Sequence, residues 1–261
     1  MTDDATLVLA SRQDKVGIIE LARPQVFNCL SMAAFRQIDA ARQAFEADAG
    51  VRVILVRAQG KNFCTGADLD DVKSRLQDAQ ALRAFISGGH AMLNGLEASR
   101  LPAVAAVQGL CLAGGIELAL ACDVVFAAAN ARFGDQHAQF GLVPGWGGTQ
   151  RLPRAIGVKR ALELMFSARW IDAVTALDWG IANYVVDDEK LNDEALTYCA
   201  TLASRSAPGL ALMKRLARDG AQMTLPDGLA LEVDAVVDAL RSRDVAEGLS
   251  AFEARRKPDF S

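Results

Sequence analysis

The chain is short of basic residues, long apolar runs, histidine and paired cysteines. Its 28 Lys and Arg fall below its 32 Asp and Glu, for a net charge of −4. That balance supplies no basic surface for nucleic acid. No uncharged apolar run reaches the about 18 residues that a membrane-spanning helix needs, so no such helix is expected. The opening MTDDATLVLA is acidic and lacks the basic–apolar–small order of a signal peptide, so none is expected. The five cysteines (Cys29, Cys64, Cys111, Cys122, Cys199) are odd in number, and no two are spaced C-x-x-C. This favours reduced thiols in a cytoplasm over a disulfide framework or a zinc site, and no metal is expected. No internal repeat or low-complexity tract interrupts the chain. With 261 residues, 51% hydrophobic and 23% charged, it can bury a substantial core.

Residues 5–10 and 15–21 alternate apolar and polar and read as a hairpin around SRQDK. In 31–48, Met32, Phe35, Ile38, Ala41 and Phe45 share one helical face. Strands are expected at 51–57, 103–107 and 123–127, and helices at 74–98 and 114–121. From about residue 149 the pattern turns helical: 150–166, 172–178, 191–205, 209–219 and 228–254, with one strand at 181–186. Strands alternating with helices of this length predict an α/β domain. The expected division is a core over 1–195 and a helical region over 196–261.

The stretch LCLAGGIELALACDVVFAAA (110–129) holds two ionisable groups of note, Glu117 and Asp123. A carboxylate in so apolar a run is expensive to bury without a purpose. If a helix begins near Gly114, the Gly114 N–H has no intrahelical acceptor. Residues i and i+3 share a helix face, so Glu117 faces the same space. An oxyanion-binding donor would then stand beside a general acid or base.

Four segments carry a resemblance along nearly the whole chain: NFCTGADL (62–69), LPAVAAVQGLCLAGGIELALACD (101–123), ARFGDQHAQFGLVPGWGGTQRLPR (131–154) and AFEARRKPDF (251–260). In this order and spacing the chain resembles the crotonase (enoyl-CoA hydratase/isomerase) superfamily. The resemblance implies an α/β spiral of ββα units with a C-terminal helical trimerisation region, in homotrimers or paired homohexamers. It implies an acyl-CoA thioester as substrate, no separate cofactor, and no nucleic-acid or membrane partner. The oxyanion amides carry over to Ala67 and Gly114, and the first catalytic glutamate to Glu117. Counting eight residues back from Gly145 puts His137 where family hydratases carry a second glutamate. Imidazole can accept or donate at a working pH near its unperturbed pKa of about 6.5. Hydration of a 2-enoyl-CoA is therefore the leading implication. Isomerisation, thioester hydrolysis and carbon–carbon cleavage with Glu117 as the main acid–base group are the alternatives, followed by non-catalytic acyl-CoA binding.

Substrate contacts are expected at Asp68, Leu69, Gly145 and Trp146. For Trp146, an acyl-pocket wall and a subunit-interface aromatic are equal readings. Coenzyme A contacts are expected at Arg23, with Phe252 and Lys257 supplied from a neighbouring subunit. Asp70 stands where the family often has a lysine, with Asp71 next to it, and this acidic pair weakens one phosphate contact. For Asp135, two residues before His137, holding its loop is preferred to steering the imidazole. His90 and residues 149–152 are read as structural.

Overall fold

The computed structural model describes residues 6–260. Strands β1 (Val8–Gln13) and β2 (Val16–Leu21) form the expected hairpin, but its turn is only Asp14-Lys15. Asp14 takes a positive φ of 52°, which lets the strands run through the segment read as a loop. Ala5, at the start of the expected 5–10 strand, lies outside the described residues.

Helix α1 (Met32–Ala47) begins at Ser31, whose side chain accepts from the Ala34 amide, and buries Phe35, Ile38, Ala41 and Phe45. Strand β3 (Val53–Ala58) follows. A short helix, α2 (Leu69–Lys73), comes next, and the expected 74–98 helix starts five residues late, as α3 (Ala79–Ala98). Asp78 caps the second through the Gln80 and Ala81 amides. Then come β4 (Ala103–Val107), β5 (Leu110–Leu112), α4 (Gly114–Ala121), β6 (Val124–Ala128) and β7 (Arg132–Gly134).

The expected 150–166 helix breaks into α5 (Gly148–Ile156) and α6 (Val158–Ser167). Gly157 between them has φ 81° and ψ 151°, a conformation open essentially to glycine alone. Strand β8 (Ile171–Asp172), α7 (Ala173–Trp179), β9 (Tyr184–Val186), α8 (Leu191–Ala203) and α9 (Ala207–Gly220) follow. The last expected helix is also two, α10 (Leu225–Ala239) and α11 (Arg243–Glu253), because Ser242 caps a new start through the Val245 amide.

The six-stranded sheet runs β1-β2-β3-β4-β6-β9, parallel except for β1–β2. Side chains alternate across a strand. Ile54, Val56, Ala103 and Ala105 face α1, α3 and α4, while Val53, Leu55, Val104 and Ala106 face α8. Both faces are covered, which explains the unbroken apolar run of β4. The second sheet, β5-β7-β8, is built of two- and three-residue strands.

The 195/196 position falls within α8, whose Leu191, Ala195, Cys199 and Ala203 are buried on the sheet. Helix α9 buries no residue and is attached instead through charge. Lys214 meets Asp123 at 2.7 Å and donates to the carbonyls of Leu96 and Leu101 at 3.2 and 3.1 Å. Arg218 meets Glu97 and Asp123 at 2.7 Å each. No helix among the described residues is long and apolar enough to cross a membrane, and none of them forms a cluster of three His, Cys, Asp or Glu suited to a metal.

Candidate active site

Ala67 hangs from the loop that leaves β3. The Leu30 amide donates to the Gly66 carbonyl at 2.8 Å and the Asp68 amide to the Leu30 carbonyl at 2.9 Å, which clamps Ala67 beside Leu30. Gly66 has φ +101°, and a Cβ there would lie 2.9 Å from the Gly114 nitrogen. The two stretches can approach this closely only because residue 66 has no side chain.

Gly114 is placed from the other side. Leu112 pairs with Gly134, and the Ala113 amide donates to the Gly134 carbonyl at 2.9 Å. Ala113 turns the chain into α4 with φ 50°, and its carbonyl accepts from Ile116 and Glu117. Gly114 thus opens the helix, as expected, with a free amide. Among the described residues neither the Ala67 nor the Gly114 N–H donates to a protein acceptor.

Glu117, on the first turn of α4, is 1% exposed. Its Oε1 accepts from the Trp146 amide at 2.8 Å and the Gly148 amide at 2.6 Å. These two donors were not foreseen; the glycines of PGWGG, which let the loop fold over a carboxylate, were the signal. Burial raises the Glu117 pKa, against the lowering effect of the two amides and of His137. Oε1 is engaged, so Oε2 remains to meet a substrate.

His137 opens the short 3-10 turn His137–Phe140. Its Nδ1 lies 3.0 Å from Asp135 Oδ1, and its backbone amide donates to the same oxygen at 3.3 Å. Asp135 therefore holds the imidazole as well as the loop, so the less favoured of its two readings is met too. Burial lowers the His137 pKa, but the Asp135 bond and the charges of Asp135 and Glu117 more than reverse this, and the net shift is upward. Glu117 and His137 are close enough to act on each other's ionisation.

Trp146 is 3% exposed and belongs to the core, which removes the subunit-interface reading. Its ring meets Phe35 edge-on at 4.9 Å and Phe85 at 5.6 Å. It also covers Gly114, where a Cβ would come within 2.3 Å of Cζ3. Gly145 is half-buried beside Ile86. Arg151 donates to the Trp146 carbonyl at 2.8 Å and pairs with Glu97, anchoring the loop. His90 lies on α3, and burial followed by the charge of Arg151 lowers its pKa.

The remaining expected contacts are not gathered at Glu117. Asp68 caps α2 and pairs with Arg23 at 2.9 Å, so both side chains already have partners. Leu69 is 55% exposed at the start of α2. Asp71 accepts from the Met32 amide and pairs with Arg75, while Asp70 is solvated beside Lys73. Phe252 is 82% exposed and Lys257 is exposed on the tail after α11.

Comparison with known proteins places this geometry. The family model described as enoyl-CoA hydratase/isomerase matches residues 11–261. A Rhizobium meliloti (strain 1021) protein named "Probable enoyl-CoA hydratase" is 36% identical over 253 residues, 97% of each chain. The crotonyl-CoA hydratase of Syntrophomonas wolfei is 33% identical over 254 residues, again 97% of each. The crystal structure of an enoyl-CoA hydratase subunit from Geobacillus kaustophilus HTA426 superposes with a TM-score of 0.92 at 37% identity, covering 98% of both chains. On the full-length match, the superposition and the paired amides above a buried glutamate, this chain belongs to the enoyl-CoA hydratase/isomerase family and has its crotonase fold.

Proposed function

We propose that the protein is an enzyme that adds water across the double bond of a 2-enoyl-CoA thioester. The observation that carries this is the pair of amides without acceptors, Ala67 and Gly114, one helical turn from a buried glutamate coupled to a histidine. The thioester oxygen accepts from the two amides. Glu117, ionised, takes a proton from water as the water oxygen bonds to Cβ. The C=C electrons move towards the carbonyl, and the enolate oxygen is stabilised by donors already in place. His137, protonated, gives its proton to Cα and the thioester reforms. One water has been added, and the proton on Glu117 returns to His137 through solvent. Neither step calls for a metal or for a cofactor beyond the coenzyme A of the substrate.

Trp146 limits the acyl group. The indole fills the space beside Gly114 and is backed by Phe35 and Phe85, so a long straight chain has no room on that side. The tail serves a neighbour's site. The Phe260 carbonyl is held by Arg52 at the start of β3, whereas Ala67 leaves from its far end. Six extended residues separate those ends by about 20 Å. On α10 and at its C-cap, Leu225, Leu229, Val233, Val236, Val237 and Leu240 are exposed along one side. An apolar row of this size calls for a partner surface, which supports trimers or hexamers with residues 196–261 as the assembly region. The odd number of unpaired thiols fits a cytoplasmic location.

The test is incubation with crotonyl-CoA and longer 2-enoyl-CoA thioesters, with products weighed by mass spectrometry. A product one water heavier supports hydration. A product of unchanged mass, free coenzyme A with a carboxylic acid, or a shortened acyl group would replace hydration by isomerisation, hydrolysis or cleavage. Binding without turnover would leave an acyl-CoA-binding protein.

A further inference from the structure

Asp135 is a buried carboxylate with no arginine or lysine partner among the described residues. It is 1% exposed. Oδ1 meets Nδ1 of His137 and the His137 amide, while Oδ2 is buried with no hydrogen-bond partner. A loop brace alone gives no reason for this. A neutral asparagine could accept the same two N–H bonds without leaving a charged oxygen orphaned in the interior. Among the described residues the one cation paired with it is the imidazole, and an unpaired buried charge is what a protein avoids most strongly. The charge therefore has its use when His137 carries a proton.

The backbone is shaped for this contact. Gly134 ends β7 in register with Leu112, the strand that leads into Gly114. Gln136 then adopts φ 63°, rare for a residue with a side chain, and its side-chain Nε2 donates to the Ala168 carbonyl. That left-handed residue turns the chain so that the ring of His137 folds back over Asp135. The same small sheet thus positions the oxyanion amide and the carboxylate under the imidazole. Holding Nδ1 leaves Nε2 as the nitrogen that can exchange a proton with a substrate.

We propose that Asp135 is a positioning residue that fixes the His137 ring with Nδ1–H inward and Nε2 towards the substrate, and that holds the ring's charge during proton transfer. Its kinetic consequence rests on the hydration reading; its consequence for the imidazole does not. The ionisable groups acting on His137 are Asp135 on its own loop and Glu117 on α4. Helix α6 packs against the same turn, and its Glu163 is paired with Arg169.

The chain has two histidines, so imidazole-nitrogen NMR resolves the pair. In the unaltered protein, His137 should be the Nδ1–H tautomer when neutral and should titrate above His90. The opposite tautomer, or a pKa below that of His90, overturns the proposal without any variant. In Asp135→Asn the His137 pKa should fall while that of His90 stays. kcat on a 2-enoyl-CoA should drop roughly tenfold or more, part of the about 10²–10⁴ that a placed acid or base supplies, with KM little changed. The basic limb of the pH–rate profile should move down with the imidazole. Asp135→Glu, which keeps the charge, should recover part of the pKa. An unmoved His137 pKa in Asp135→Asn overturns the proposal, whether or not activity falls. If the unaltered protein hydrates no enoyl-CoA, the hydration reading fails and the NMR result still decides the role of Asp135.

Discussion

Gly66→Ala puts a methyl group 2.9 Å from the Gly114 nitrogen and 3.0 Å from the Ala113 Cβ. Neither neighbour can swing aside, because both are fixed to the backbone at the start of α4. The positive φ of residue 66 adds about 1–2 kcal/mol of left-handed strain. Forcing a methyl into filled space adds about 1–3 kcal/mol. The summed loss, about 2–5 kcal/mol, is a large share of the about 5–15 kcal/mol that holds a domain together. The catalytic effect is separate. The intruding carbon displaces the amide assigned to the thioester oxygen, and losing one such donor lowers kcat by about 10²–10³. Gly180→Ala is the control: it has φ +87° and only an ordinary 3.6 Å contact, so it takes the strain without touching the site. Denaturant melts and steady-state hydration of crotonyl-CoA are measured on both variants at a temperature where both are folded. Both should lose stability, Gly66→Ala the more, and only Gly66→Ala should lose turnover. A folded Gly66→Ala with kcat within threefold of the parent, about 0.7 kcal/mol of barrier, would refute the assignment of the Gly114 amide.

Glu117→Gln keeps the shape of the side chain and removes the base; kcat should fall by about 10²–10⁴ while coenzyme A thioesters still bind, as fluorescence titration can report. The pH–rate profile should be a bell. Its acid limb is Glu117 losing its proton above the ordinary carboxylate range, and its basic limb is His137 losing its proton above the ordinary imidazole range. His137→Ala should erase the basic limb and much of the turnover. Because the folded His137 pKa is raised, its stabilising contribution is complete below the unfolded value and is lost as pH rises through the folded value. The stability gap between the parent and His137→Ala in urea melts should therefore narrow as pH rises. Trp146→Ala should destabilise by about 3–5 kcal/mol and shift activity from short towards longer enoyl chains, and an unchanged chain-length profile would remove Trp146 from specificity. Light scattering at micromolar protein should give the mass of a trimer or hexamer, and an active monomer would contradict the role given to Phe252 and Lys257.

The elements legible in the sequence were those whose burial is periodic. Helix α1 shows its inward face every three to four residues, and α4 is marked by paired glycines before an apolar run. Strands β5, β7 and β8 are two or three residues long, too short to show a period, yet they place Gly114 and Asp135. The helix breaks at Gly157 and Ser242 turned on one residue's dihedral angles or one side-chain cap, weaker signals than the hydrophobic pattern on either side. Glu117 and Gly114 were found by type and spacing, Ala67 and His137 through the family resemblance, and the fold gathers them. The donors to Glu117 were not, and the Asp135–His137 contact was only the less favoured of two readings, since both depend on how a loop folds back on itself.

The lysine and arginine that α9 places on Asp123 and Glu97 bear on how the chain could be divided. Those two carboxylates lie at the far ends of α4 and α3, and Glu97 also holds Arg151, the residue that grips the Trp146 carbonyl. A fragment ending after α8 would keep both sheets and every group assigned to chemistry. It would also strand the half-buried Asp123 without its cations, leave Glu97 with Arg151 alone, and loosen the anchor of the loop over Glu117. The loop over Glu117 thus takes part of its anchoring from a helix that buries no residue of its own.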